Sequence, residues 1–333
     1  MAKTVFFELE KWEEEYVKNS LSDTEIAFTE EKLTLENVSN YQDAQVISIF
    51  IYSKIEKEVL DKLPNLKFIT TRSMGYDHID LEYCREKEIK VAYVPAYGSH
   101  TVAEHTFSLL LAISRKLLPS YERAKKGEFG NEGLTGFDLY GKTIGILGTG
   151  NIGKNVALLS IAFGMKVLAF NKRPDKELLD KGTDFVSLDE LLSASDIVSL
   201  HLPHTKETEH IINMGNITKF KKGAVLINTA RGILIETQAI VEGLEKEILS
   251  AVGLDVLEEE CDLREERELL ATEFLKTCDL KTQLLNHVLL TMDKVIITPH
   301  NAFNSKEALH EILQTSIANI KGYIQSTPQN LVP

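Results

Sequence analysis

Three side chains able to do carbonyl chemistry follow three separate apolar runs. Arg231 comes shortly after the run 224–228, Asp255 directly follows 249–254, and His300 stands just beyond 294–298. Glu258, Glu259 and Glu260 lie close behind Asp255. These residue types fit the reduction of a keto acid. A histidine titrating near neutrality can hand a proton to the carbonyl oxygen. A neighbouring carboxylate favours its imidazolium form and fixes its tautomer. A guanidinium grips the substrate carboxylate or keto oxygen in a planar fork and polarises it. Taken singly, each residue has a plainer explanation: a loop histidine, a surface ion-pair partner, a solvated acidic run. Only their joint arrival at one rim carries the chemistry.

A hydride source is signalled by Gly148, Thr149, Gly150, Asn151, Ile152 and Gly153, a G-x-G-x-x-G directly after the run 143–147 and opening a helical pattern. The motif alone is weak, but strand, tight turn and helix in sequence make it specific for a dinucleotide. Gly148 permits the turn, Gly150 lets a pyrophosphate approach the backbone, and Gly153 lets the helix pack on the strand. The helix N-terminus adds free N–H groups and a positive dipole end. The next strand, 166–170, ends at Asn171 and not at the carboxylate that would hold the ribose 2′-OH of NAD; Lys172 and Arg173 follow. A neutral amide beside two cations leaves the choice between NAD and NADP open, leaning towards tolerance of NADP.

To bring these residues together, the chain must form parallel strands with helices on both faces, because ligands of such sheets bind outside the carboxyl ends of the strands. Strands are expected over 5–9, 45–52, 67–71 and 90–94, with helices over 55–63 and 81–87. A long amphipathic helix is expected over 101–120, opened by a capping box from Thr101 to Glu104. A second series places strands at 143–147, 166–170, 196–202, 224–228, 249–254 and 294–298. Its first helix spans 151–163 and ends at Gly164. Residues 262–292 form a charged, helical insertion, and 305–324 a final helix. The fold class is α/β, with two doubly wound parallel sheets.

At 333 residues, two domains are expected. Apolar residues at 43% suffice for two buried cores, and a net charge of −13 argues against nucleic acid or an anionic membrane as partner. No signal-peptide layout opens the sequence. The longest apolar run, 107–113 with Ser108 inside it, falls far short of the roughly 20 residues that span a bilayer. Cys84, Cys261 and Cys278 are widely spaced, forming neither a metal-ligand cluster nor a disulfide framework, so a cytoplasmic protein without metal is expected.

The glycine turn, His201-Leu-Pro203, Ile227-Asn-Thr-Ala-Arg231-Gly232, Gly253-Leu-Asp255-Val-Leu-Glu-Glu-Glu260 and Thr298-Pro-His300 together resemble the D-2-hydroxyacid dehydrogenase family, most closely its D-lactate dehydrogenase branch. Thr71-Arg-Ser-Met-Gly75-Tyr-Asp-His-Ile-Asp80 and Val94-Pro-Ala-Tyr97 extend the resemblance over nearly the whole chain.

The resemblance implies a flavodoxin-like substrate domain, residues 1–99 and 303–333, and a Rossmann cofactor domain, residues 100–302, closing over the cofactor. It implies Arg231 as the substrate-orienting arginine, His300 as the acid/base and Glu260 as that histidine's partner. Met74 and Gly75 would hold the substrate carboxylate through backbone N–H groups, with Tyr97, Tyr52 and Phe303 around its side chain. Asp255 would meet the nicotinamide carboxamide; Thr229, Ala230 and Val102 would line the cofactor, and His201, Pro203 and Thr205 its adenosine and phosphate end. His78 and His105 are expected to be structural. Homodimers are usual in the family. Asn171 and the string Asn301-Ala-Phe-Asn304 depart from the pattern, at cofactor choice and substrate side chain respectively, while the insertion favours the lactate branch. The implied reaction is reduction of a small 2-keto acid to the D-2-hydroxy acid by NAD(P)H, pyruvate to D-lactate first of all. The alternatives are a hydroxypyruvate/glyoxylate or broad 2-keto acid reductase and, in another class, an NAD(H)-sensing, corepressor-like interaction protein.

Overall fold

The computed structural model describes residues 3–21, 24–258 and 279–333. The chain divides into two compact units, Met1–Gly98 with Ser305–Pro333, and Ser99–Asn304.

In the first unit, β1 (Lys3–Phe6), β2 (Glu25–Phe28), β3 (Val46–Ile49), β4 (Phe68–Thr71) and β5 (Lys90–Ala92) pair in parallel in the order β2-β1-β3-β4-β5. This is the flavodoxin-like order. Every residue of β3 and β4 is buried, which is why they appear in the sequence as continuous runs and not as alternating ones. Alternation still sorts the side chains between two cores. Val5, Ile47, Ile49 and Ile69 face one, whereas Phe6, Val46 and Phe68 face the other. The second core is completed by Leu313, Ile317 and Ile320 of the helix Lys306–Ile324, whose N-cap Ser305 accepts from the Ala308 N–H. Strand β2, not expected from the sequence, is a partly exposed edge strand whose apolar run, Ile26-Ala-Phe28, is only three residues long.

In the second unit, β6 (Thr143–Leu147), β7 (Lys166–Phe170), β8 (Asp184–Phe185), β9 (Ile197–Leu200), β10 (Ala224–Asn228), β11 (Leu249–Leu254) and β12 (Val295–Ile297) form a parallel sheet in the order β12-β11-β10-β9-β6-β7-β8. Growth reverses direction beside β6, between it and β9, and dinucleotides bind at such a switch point. Gly164 closes the helix Asn151–Ala162 with a φ of +73°, as its position after the apolar run suggests.

The expected single helix over 101–120 is corrected. One helix runs Ser99–Ser114 and a second Leu117–Lys125, separated by Lys116 at φ +51°. The break has a visible cause. The Ser114 carbonyl accepts from the Phe137 N–H (2.8 Å), and Gly136 passes so close that a Cβ there would lie 2.0 Å from that oxygen. Starting at Ser99 also moves Thr101 into the first turn, so it is not the N-cap. Of the expected insertion, Leu280–Thr291 is helical with Asp279 as N-cap; residues 259–278 lie outside the described residues.

Candidate active site

Register across the second sheet places six chain positions in one line. Phe170, Leu147, Leu200, Asn228, Leu254 and Ile297 are successive partners from β7 to β12. The residue after each is Asn171, Gly148, His201, Thr229, Asp255 or Thr298. Backbone bonds carry the line one step past the strands: Gly148 N–H donates to Phe170 O, His201 to Leu147 O, Asp255 to Asn228 O and Thr298 to Leu254 O (2.7–2.9 Å). Thus the glycine turn and the strand ends that lead to Arg231 and His300 share one carboxyl edge.

His300 is held by an unusual loop. Its φ of +50° lies in the left-handed region, and its N–H donates to both the Asp255 and Thr298 carbonyls (2.9 Å each). The Asp255 side chain, 1% exposed, gathers that loop: it accepts from the Thr298 hydroxyl, the Asn301 N–H and the Ala302 N–H (2.8 Å for each amide). His105 Nε2 lies 3.4 Å from the same carboxylate and 3.0 Å from Thr298 Oγ1. Thr298 has one proton and gives it to Asp255, so His105 must donate from Nε2. Burial alone would raise the Asp255 pKa, but the bonds from His105, Thr298, Asn301 and Ala302 outweigh it and hold the carboxyl below its usual range.

Arg231 follows β10 on a turn built by Asn228, whose buried amide accepts from the Ala230 N–H (3.0 Å) and donates to the Arg231 carbonyl (2.9 Å). Its guanidinium donates to the Ala230 carbonyl (2.7 Å). Gly232 is fixed by crowding, since a Cβ there would sit 1.8 Å from the Leu257 carbonyl. Thr106 gives its proton to the Val102 carbonyl (2.8 Å) and accepts from Thr229 (2.9 Å), tying the helix Ser99–Ser114 to this turn.

Of the acidic run, Glu258 is buried and committed. One carboxylate oxygen accepts from the Thr237 N–H and hydroxyl (2.8 and 2.7 Å), and the other pairs with His210 Nε2. Sequence alone gave no sign of this brace. Glu260, expected to partner His300, lies outside the described residues, as does Glu259.

The three glycines of the turn serve by different means. Gly148 has a φ of +94° and its Cβ would meet the His201 carbonyl at 2.8 Å; a Cβ on Gly153 would lie 1.9 Å from Gly148 O. Around Gly150, its chain neighbours and own helix aside, no atom of the described residues lies within 4 Å of where a Cβ would be. Nothing in the fold demands that glycine, whereas a diphosphate laid on the turn would, and the residues therefore fit a dinucleotide. Asn151 and Ile152 open the helix beneath it. Asn171 spends both amide protons within the protein, on Thr149 Oγ1 (2.8 Å) and the Arg173 carbonyl (3.0 Å), while Lys172 and Arg173 are exposed. His201 turns inward, its Nε2 2.8 Å from Ser199 Oγ, and burial pushes its pKa down to about 3, so it is neutral. Its Nδ1 has no partner among the described residues. Pro203 and Thr205 are exposed; the Pro203 carbonyl accepts from Thr208 (2.7 Å).

Met74, Gly75, Tyr52 and Tyr97 belong to the first unit, and Phe303 to the second. Met74 and Gly75 follow β4 on a turn in which Ser73 Oγ donates to the Gly75 carbonyl. Thr71 donates to Ser73 (2.6 Å) and lies 3.2 Å from His78 Nε2. Tyr97 is buried, Phe303 half-buried, and Tyr52 exposed with its ring edge-on to Phe50.

Residues 107–302 match the family described as "D-isomer specific 2-hydroxyacid dehydrogenase, NAD binding domain". The chain is 34% identical to D-lactate dehydrogenase of Escherichia coli (strain K12) over 324 residues, 96% of this chain and 95% of that one. Among solved structures it resembles D-lactate dehydrogenase of Aquifex aeolicus complexed with NAD and lactic acid (36% identity, TM-score 0.85, 99% and 98% coverage). It also resembles the pyruvate reductase of Chlamydomonas reinhardtii (32% identity, TM-score 0.88, 98% of each chain).

Proposed function

The chain belongs to the D-isomer specific 2-hydroxyacid dehydrogenases, and from that premise we propose that it reduces pyruvate, or a slightly larger 2-keto acid, to the D-2-hydroxy acid. It is an NAD-dependent oxidoreductase. The observation that carries the reading is the common carboxyl edge, on which the glycine turn and the strand ends leading to Arg231 and His300 stand in one register.

When bound, the nicotinamide supplies the hydride. Arg231 orients the substrate carboxylate or keto oxygen and draws charge onto it. His300, as imidazolium, gives its proton to that oxygen, completing the hydroxyl. Asp255 holds the loop that carries the ring, and by resemblance to the family Glu260 would be the carboxylate that stabilises its charge. By resemblance to the family, the Met74 and Gly75 N–H groups would hold the substrate carboxylate, and Tyr52, Tyr97 and Phe303 are the residues proposed around its side chain.

For the cofactor, we propose NAD with tolerance of NADP. With both Asn171 protons spent, its carbonyl oxygen is left as a neutral acceptor for a ribose hydroxyl, and it does not repel a 2′-phosphate as a carboxylate would. A homodimer is supported by the exposure of Leu117, Leu118, Tyr121, Phe129 and Tyr140 along one stretch of chain. Light scattering would return twice the chain mass.

The deciding experiment is a panel of pyruvate, hydroxypyruvate, glyoxylate and phenylpyruvate, each run with NADH and NADPH. Highest kcat/KM on pyruvate is expected. A clear preference for glyoxylate would instead favour the chemistry named for a Thermofilum pendens relative, glyoxylate reductase, 35% identical over 291 residues. Tight NADH binding with no turnover of any keto acid would overturn the enzyme reading in favour of a nucleotide-sensing role.

A further inference from the structure

Beyond the end of β3, the segment 50–53 leaves the ladder, and its donors need other partners. One side chain supplies them. The Glu8 carboxylate accepts from the Phe50 N–H (2.7 Å), the Tyr52 N–H (2.9 Å) and the Ser53 hydroxyl (2.7 Å). Ser53 is fully buried, and its oxygen accepts from the Leu33 N–H (2.9 Å). Glu8 follows β1, the neighbour of β3 in the sheet, and holds a left-handed φ of +54°, which residues with a Cβ rarely adopt. That backbone is pinned from the next strand. Arg72, 2% exposed and just past β4, donates from Nη2 to the carbonyls of Phe7 (2.8 Å) and Glu8 (2.7 Å), and from Nη1 to Ser48 Oγ (3.2 Å). Two residues further on come Met74 and Gly75. A single residue therefore joins the loops of three adjacent strands, one carrying Tyr52 and another the Met74–Gly75 turn. Charge-assisted bonds of this kind are the stronger and more directional ones.

We propose that Glu8 is a specificity-positioning residue, fixing through its carboxylate the loop from which Tyr52 bounds the substrate's side chain. This rests on the reading that Tyr52 lines that side chain. An amide in place of the carboxylate turns an N–H₂ towards one of the donors, so Glu8→Gln releases the loop without altering Tyr52. With its wall loosened, the site should accept bulkier keto acids.

The test compares kcat/KM for pyruvate with that for 4-methyl-2-oxopentanoate. In Glu8→Gln the ratio should shift at least about fivefold towards the larger substrate, with NADH affinity unchanged by fluorescence titration. In a Tyr52→Ala background the same substitution should shift the ratio by less than about twofold, because the element it acts through is gone. An equal loss on both substrates, or the same shift in both backgrounds, would overturn the proposal. If Glu8→Gln does not fold, Ser53→Ala removes one donor of the three and should move the ratio less, in the same direction; an unmoved ratio there overturns it as well. A wild-type chain inactive on every keto acid would sink the reductase reading and this one with it. An active wild type with an unmoved ratio would sink this one alone.

Discussion

His300 carries its imidazole on a backbone that costs an L-residue about 1–2 kcal/mol. The Asp255 carboxylate offsets that cost by binding the loop on either side. Replacing His300 by Ala should lower kcat by about 10²–10⁴-fold while leaving NADH affinity nearly intact; equal turnover would remove it from the mechanism. Asp255→Asn should also lower kcat, because the amide nitrogen takes one of the two oxygen positions and cannot accept there, losing the Ala302 bond in one orientation or the Thr298 and Asn301 bonds in the other. Since the folded Asp255 pKa lies below its usual 3.8, its stabilising contribution is present above that pH and is lost as pH falls through the depressed value. Asn171→Asp should cut kcat/KM with NADPH and spare NADH; unchanged NADPH kinetics would refute the acceptor argument. The placement of Arg231 and His300 beyond strand ends was legible because each follows a strand with an apolar signature. The bracing roles of Asp255, Glu258 and Glu8 were not, because each depends on partners 21 to 48 residues away, a distance at which sequence has no periodicity to show.

Within the glycine turn, two substitutions of the same size should fail in opposite ways. Gly150→Ala meets open space in the protein, so its melting temperature should stay near wild type while NADH binds more weakly. Gly153→Ala must push back the Gly148 carbonyl and should destabilise by the few kcal/mol typical of overpacking. Thermal melts with and without NADH separate the two, and a Gly150→Ala protein that binds NADH normally would contradict the assignment. Strands β6, β10 and β11 were legible to the residue, since all of their residues but Thr143 and Ser250 are buried, and burial on both faces favours a nearly continuous apolar run. Strand β8 has only two residues, too few for a pattern. The break after Ser114 escaped because its cause, the close pass of Gly136, is tertiary.

For the molecule as a whole, acid should weaken the fold in part through His201. Its folded pKa is depressed from 6.5 to about 3, so below pH 6.5 the unfolded chain takes up a proton that the folded one refuses. Stability is therefore intact near neutrality and declines as pH falls towards 3. Melting temperatures measured from pH 7 to pH 4.5 should fall less steeply in His201→Gln; identical slopes would rule out this contribution. The division of the chain has a consequence of another kind. The core formed by Phe6, Val46 and Phe68 is closed by Leu313, Ile317 and Ile320, and the whole second unit is threaded between them. A ribosome therefore releases the first sheet long before the helix that covers it exists. Until translation reaches Lys306–Ile324, one greasy face of the nascent protein stays bare, and it is there that a chaperone would find its grip.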